Sequence, residues 1–276
     1  MSKPSGAIDM TQGKPINLML RFALPMMIGS IFQSLYSMVD SAVLGRFVGS
    51  HALAAIGATT STTGLILLLA TGVTSAISIV LSQYVGANDT DRVRKGIVAS
   101  GWITLLLGVV LGLISVFAAR PLMQLLKTPE DVIDMSVLYI QIVCGCGIAQ
   151  FAYNAAASIL RALGDSKTPL YFLILCSILN VILDLISVIG LNMGVAGVAV
   201  ATVGSQAISA AICILVMFRK YPDLMPKRHT LRPDMPVSLK IFGMGAQMAL
   251  QSLFLSVGMM AVSYTHLRAH ETAANL

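Results

Sequence analysis

The sequence predicts an all-α integral membrane protein: a six-helix transmembrane bundle followed by the start of a seventh helix. Three observations predict it. Of 276 residues, 56% are hydrophobic and only 11% charged, with a mean hydropathy of +0.84; a soluble domain carries roughly 25% charge. Apolar runs recur at or beyond the ~20 residues that span a 30 Å hydrocarbon layer. Basic residues cluster between those runs, abundant and scarce in alternation, as loops on the two sides of a membrane do. The net charge of +6 therefore belongs to loops, not to a nucleic-acid surface. Soluble enzyme, DNA binder and disulfide-stapled secreted domain are all disfavoured.

Apolar runs bounded by charge, Gly and Pro place helices at 16–44, 52–85, 94–118, 132–160, 169–189, 194–218 and 239–262. The first holds Pro25 in its interior, where the missing N–H and the ring clash should bend it, as a passive kink or as a moving part. The third carries Gly108 and Gly112, a small-residue face for close helix packing. The fourth carries Tyr139 and, much deeper, Asn154, out of reach of the far end unless the helix bends at Gly145 or Gly147. The fifth carries Asn180 and Asp184, and the sixth carries Thr202. Lys3, Lys14, Arg21, Arg92, Arg94, Lys95, Arg161, Lys167 and six residues of 219–240 lie on one side, against Arg46, Arg120 and Lys127 on the other. The positive-inside rule puts the first side, and with it the N-terminus, in the cytoplasm. No cleavable signal peptide is expected. Cys144, Cys146, Cys176 and Cys213 lie inside apolar runs without metal-ligand spacing and read as small buried hydrophobes.

Residues 219–238, with Pro222, Pro226, Pro233 and Pro236, read as a cytoplasmic linker after a lobe at 1–218. Beyond the linker, Gln251-Ser252-Leu253-Phe254 echoes Gln33-Ser34-Leu35-Tyr36 at a displacement of 218. An even number of spans separates the two, so 239–262 reads as the first helix of a second lobe in a parallel repeat. A matching second lobe implies about 436 residues in all, so the chain is expected to be a fragment. Residues 263–276 break the apolar pattern, resemble translated adapter DNA, and read as a non-native tail. His266 and His270, four apart, could face a metal together on a helix, but no further ligand accompanies them.

Only two of the twelve acidic residues, Asp40 and Asp184, lie deep in apolar runs. An acid at membrane depth costs about 2.5–3.5 kcal/mol on insertion scales and marks a functional site by default. Counting 1.5 Å per residue from the predicted helix ends puts both carboxylates roughly 8–9 Å below the outer ends. Thr202 and Tyr139 reach the same layer, and Asn180 is one turn from Asp184 on the same face. Singly, Asn180 or Thr202 could be an interhelical hydrogen-bonding group and Tyr139 an interfacial anchor. Together the five make a site for a proton or a small hard cation; oxygen-only ligation by Asp40, Asn180, Asp184 and Thr202 would suit sodium. Sixteen methionines supply adaptable apolar contacts that would suit a promiscuous cavity. No Walker loop, nucleophile elbow or zinc helix motif occurs, so no enzyme activity, cofactor or ATP drive is expected.

The ordered motifs resemble a known family. Pro25-Met26-Met27-Ile28-Gly29-Ser30 through Gln33, Tyr36 and Val39-Asp40 is followed by Leu44-Gly45-Arg46-Phe47-Val48-Gly49 and Ala52-Leu53-Ala54-Ala55-Ile56-Gly57. Gln83-Tyr84-Val85-Gly86-Ala87, Arg161-Ala162-Leu163-Gly164-Asp165, Asn180-Val181-Ile182-Leu183-Asp184 and Gly194-Val195-Ala196-Gly197 to Ala201-Thr202 continue the series. Over residues 10–262 the chain resembles a bacterial multidrug and toxic compound extrusion (MATE) transporter. The resemblance implies twelve helices in two six-helix lobes, of which this chain holds the amino lobe. It implies a multi-pass protein of the bacterial inner membrane that exports cationic or amphipathic small molecules against protons or sodium. It further implies that Asp40, Tyr139, Asn180, Asp184 and Thr202 form the coupling cluster, that Pro25 is the bend in the first helix, and that the second lobe is required. Alternatives are a lipid-linked saccharide flippase of the wider superfamily and a non-transporting membrane scaffold or half-unit.

Overall fold

A computed structural model describes residues 14–226 and 231–274, the side chains of 257 and 259–274 excepted. Eight helices follow one another: α1 (Pro15–Phe47), α2 (Ser50–Gly86), α3 (Thr90–Leu125), α4 (Glu130–Gly145), α5 (Ile148–Ala162), α6 (Lys167–Leu185), α7 (Gly194–Lys220) and α8 (Met235–Ala274). Among the described residues, α1, α2, α3, α6 and α7 are each long and apolar enough to cross a membrane, and α4 with α5 makes a sixth span. The chain is a multi-pass helical membrane protein.

The fourth span corrects the sequence reading. Instead of one helix at 132–160, α4 and α5 meet at 43° across Cys146 and Gly147. The cause is close packing: a Cβ on Gly112 would lie 2.9 Å from the Gly145 carbonyl oxygen, and one on Gly108 2.9 Å from Ile148 Cγ1. The small-residue face of α3 thus seats this elbow. The elbow also exposes Cys146, which was expected to be buried, whereas Cys144, Cys176 and Cys213 are buried.

α1 runs as one helix through Pro25 and lies at the edge of the bundle. It is held at two places. Near its start, Pro25 and Gly29 are buried, Gly29 close against Leu173 of α6; near its end, Val43 and Leu44 pack with Val188, Val195 and Val198. Between them Met27, Ile31, Leu35 and Met38 are exposed, a face fit for lipid or another helix.

α8 packs along α2 at backbone contact, since a Cβ on Gly72 would lie 2.8 Å from the Ala249 nitrogen. Its helical backbone continues past residue 262 to Ala274. The His266–His270 pair falls among side chains outside the described ones.

The basic end of the bundle is tied by charge. Asp165, 1% exposed in the turn between α5 and α6, accepts from Lys220 Nζ at 2.6 Å and from the Thr168 hydroxyl at 2.6 Å. Between α7 and α8, Asp234 pairs with Lys95 at 3.0 Å, and the Asp223 and Leu231 carbonyls accept from Arg94 and Trp102. The connecting segment is strapped to α3.

Candidate functional site

The site lies where α1, α6 and α7 approach the end opposite the basic one. Asn180 and Asp184 stand one turn apart on α6, both fully buried, with the half-buried Asp40 of α1 facing them. The Asn180 amide is assigned with its nitrogen toward the acids, because the reverse leaves its oxygen facing only acceptors. In that orientation Nδ2 donates to Asp40 Oδ1 at 2.7 Å and to Asp184 Oδ2 at 3.2 Å. One amide therefore bridges two carboxylates from two helices.

Thr202, 7% exposed, borders the cluster from α7 and donates to the Val198 carbonyl at 2.9 Å, which leaves its oxygen lone pairs to the site. Tyr139 of α4 packs on the Val43–Val198 cluster with its ring in the acid layer. All five residues named from the sequence thus come together. Asn154 does not, despite the elbow: its amide donates to the Gln150 carbonyl at 3.0 Å, and Gln150, not Asn154, lines the cavity beside the acids. Pro25 is remote, in a second cavity toward the basic end.

That outer cavity measures about 410 Å³, and among the described residues Asp40 is the only charged one lining it. Gln33, Tyr36, Thr59, Thr63, Gln150 and Gln206 supply a neutral polar wall. Tyr36 lines the same cavity as Asp40 and Thr202 and is not among the site residues read from the sequence. Its signal was its position one helical turn before Asp40. A second missed feature follows Asp184 directly: residues Ile186–Gly190 form a π-turn, a distortion often found at functional positions.

Chemically the cluster is incomplete by itself. Asp184 Oδ1 is buried and accepts no hydrogen bond among the described residues. Two adjacent carboxylates with no salt-bridge partner among the described residues call for a proton or a cation. Asn180 serves either ion: its Nδ2 can donate to the carboxylates, and the same amide turned over presents its carbonyl oxygen to a proton or to sodium. Among the described residues no group of three or more His, Cys, Asp or Glu side chains assembles, so the oxygen set fits a hard monovalent ion better than a transition metal.

An all-helical, multi-pass bundle with a polar acid-lined cavity defines the class of this protein. Residues 25–186 match the MatE family, and the chain belongs to that family. It is 32% identical over 258 residues to the "Probable multidrug resistance protein YpnP" of Bacillus subtilis, an alignment covering 93% of this chain and 57% of that protein. Among solved structures it is similar to a MOP superfamily transporter from Pyrococcus furiosus, with a TM-score of 0.86, 25% identity, and 94% of this chain and 57% of that one covered. A multidrug resistance MATE family transporter in an outward-facing conformation superposes with a TM-score of 0.83 at 26% identity, covering 90% of this chain and 55% of the other. The chain spans about half the length of the curated relatives it matches.

Proposed function

We propose that this chain forms the amino lobe of a secondary transporter that exports cationic or amphipathic small molecules against an inward flow of protons or sodium. Asp40, Asn180 and Asp184, with Thr202, Tyr139 and Tyr36 around them, are the coupling cluster. The observation that carries this reading is one amide nitrogen bridging two carboxylates, at 2.7 and 3.2 Å, beside a cavity whose only charged lining residue among those described is Asp40.

The mechanism follows from electrostatics and two-state linkage. A proton or sodium ion entering the cluster cancels one of the two negative charges of the acid pair, relieves their repulsion and draws α1 toward α6. If it binds one conformation better than the other, it shifts their populations. α1 is suited to move, because it is anchored only near its two ends and Pro25 cannot donate to the Arg21 carbonyl. Pro25 is the bend. A cationic substrate competes for the same acidic cavity, so substrate and ion exchange. The basic end, with the N-terminus, faces the cytoplasm of a bacterial inner membrane, and a second lobe completes the substrate path.

An acidic cavity favours this reading over a saccharide-lipid flippase, whose anionic headgroup calls for basic lining. Ethidium efflux from cells carrying the complete locus, with Asp40→Asn and Asp184→Asn, tests it. Loss of efflux in both supports coupling through the cluster; undiminished efflux in both overturns it. No efflux by the parent would favour the flippase or a non-transporting scaffold. Replacing sodium at a fixed pH gradient identifies the ion.

A further inference from the structure

We propose that the second cavity, between α1, α2, α5 and α6 toward the basic end, binds a phosphate-type oxyanion through Arg161 and Ser166. The cavity measures about 410 Å³ and is lined by Arg161, Ser166, Tyr153, Ser78, Pro25 and Gln33, among others. Gln33 also lines the acidic cavity, so the two cavities adjoin along α1, one with an acid in its lining and the other with an arginine.

Two independent observations point to an anion. Arg161 is half-buried, lines the cavity, and has no carboxylate within salt-bridge distance among the described residues. Its one side-chain contact is Nη2 donating to Ser158 Oγ at 2.7 Å, which leaves further guanidinium donors for a ligand. Ser166 is 3% exposed and also lines the cavity, yet its Oγ has no hydrogen-bond partner among the described residues. Ser166 stands at the N-cap position of the 19-residue α6 but makes no capping bond; the helix start is capped by Asp165, whose Oδ1 accepts from the Thr168 N–H at 3.0 Å, which leaves the Ser166 hydroxyl to the cavity. The charge of Asp165 is taken up by partners other than Arg161. Its oxygens accept from Lys220 Nζ, the Thr168 hydroxyl and the Thr168 backbone N–H.

A guanidinium with donors to spare and a free buried hydroxyl together make a donor set without a carboxylate acceptor among the described residues, and a tetrahedral oxyanion with several acceptor oxygens matches it. The source is either the phosphate of a lipid headgroup or a free phosphate. The purified full chain in detergent distinguishes them. Native mass spectrometry measures retention of dioleoyl phosphatidic acid against dioleoyl phosphatidylcholine, and melting shifts are followed with millimolar inorganic phosphate.

Binding of either probe is expected to fall about tenfold or more in Arg161→Gln and about fivefold in Ser166→Ala. Ser166→Ala removes no bond, so the melting temperature of its ligand-free form should match the parent's and keeps the test valid if Arg161→Gln folds poorly. Selective retention of phosphatidic acid assigns a lipid source, and a phosphate-induced melting shift assigns a free anion. Equal retention of both lipids without a phosphate shift would overturn the proposal. So would parent-like binding in Ser166→Ala, or a loss in exposed Lys167→Gln as large as in Arg161→Gln.

Discussion

Two buried acids at opposite ends of the bundle are treated in opposite ways. Asp165 carries its own cation, with Lys220 at 2.6 Å and Thr168 closing the other side. Asp184 is equally buried but has only the amide of Asn180 and a second acid, Asp40, and one of its oxygens accepts nothing among the described residues. An acid with a resident cation is a lock between helices; an acid without one is, on the function proposed above, kept for an ion that comes and goes. Burial alone does not separate the two, whereas the identity of the partner does.

Breaking the lock should give the largest effect. Asp165→Asn leaves Lys220 without its charge partner and is expected to cost about 3 kcal/mol, the low end for a broken buried pair because Lys220 is part-exposed. Thermal or denaturant unfolding in detergent reads it. The other end should behave in reverse. Asp184→Asn and Asp40→Asn remove a charge no cation offsets, so stability holds or rises, while efflux by the complete transporter falls on the order of 10–100-fold, the range of a 1–3 kcal/mol coupling. A drop in stability like that of Asp165→Asn would erase the distinction.

Tyr36→Phe sharpens the comparison further. It deletes one hydroxyl beside Asp40 and Thr202, and a loss of about fivefold in efflux is expected for a neutral hydrogen bond, with unfolding unchanged.

The smallest effect belongs to the exposed pair at the strap. Lys95 holds the Asp234 carboxyl below the usual carboxylate range. A lowered value means the contact stabilises fully above the ordinary carboxylate pKa, near 3.9, and is lost as pH falls through the lowered one. Limited proteolysis of the segment between α7 and α8 should therefore be flat between pH 5 and 8. Lys95→Gln or high salt should speed it modestly at pH 7.

The sequence made part of this legible. Asp40, Asn180, Asp184, Thr202 and Tyr139 stood out because each is polar inside an apolar run, and the depth count matched them because helical rise is constant. Tyr36 was readable one turn before Asp40 but is unremarkable by type. Asp165 was not readable: it sits in a polar turn, and its burial depends on Lys220, 55 positions away. Gly145 and Gly147 hinted at the elbow, but its seat is Gly108 and Gly112 on another helix. Nothing in the composition of Ile186–Gly190 announces a π-turn, because widening a helix by one residue is settled by packing.

The most direct test of the central claim follows the ion itself. With the complete transporter reconstituted in proteoliposomes, an imposed ethidium gradient should drive protons or sodium in the opposite direction. Asp40→Asn and Asp184→Asn should each abolish that ion movement. Ion movement at the parent's rate in both variants would contradict the assignment of the Asp40–Asn180–Asp184 cluster as the coupling site.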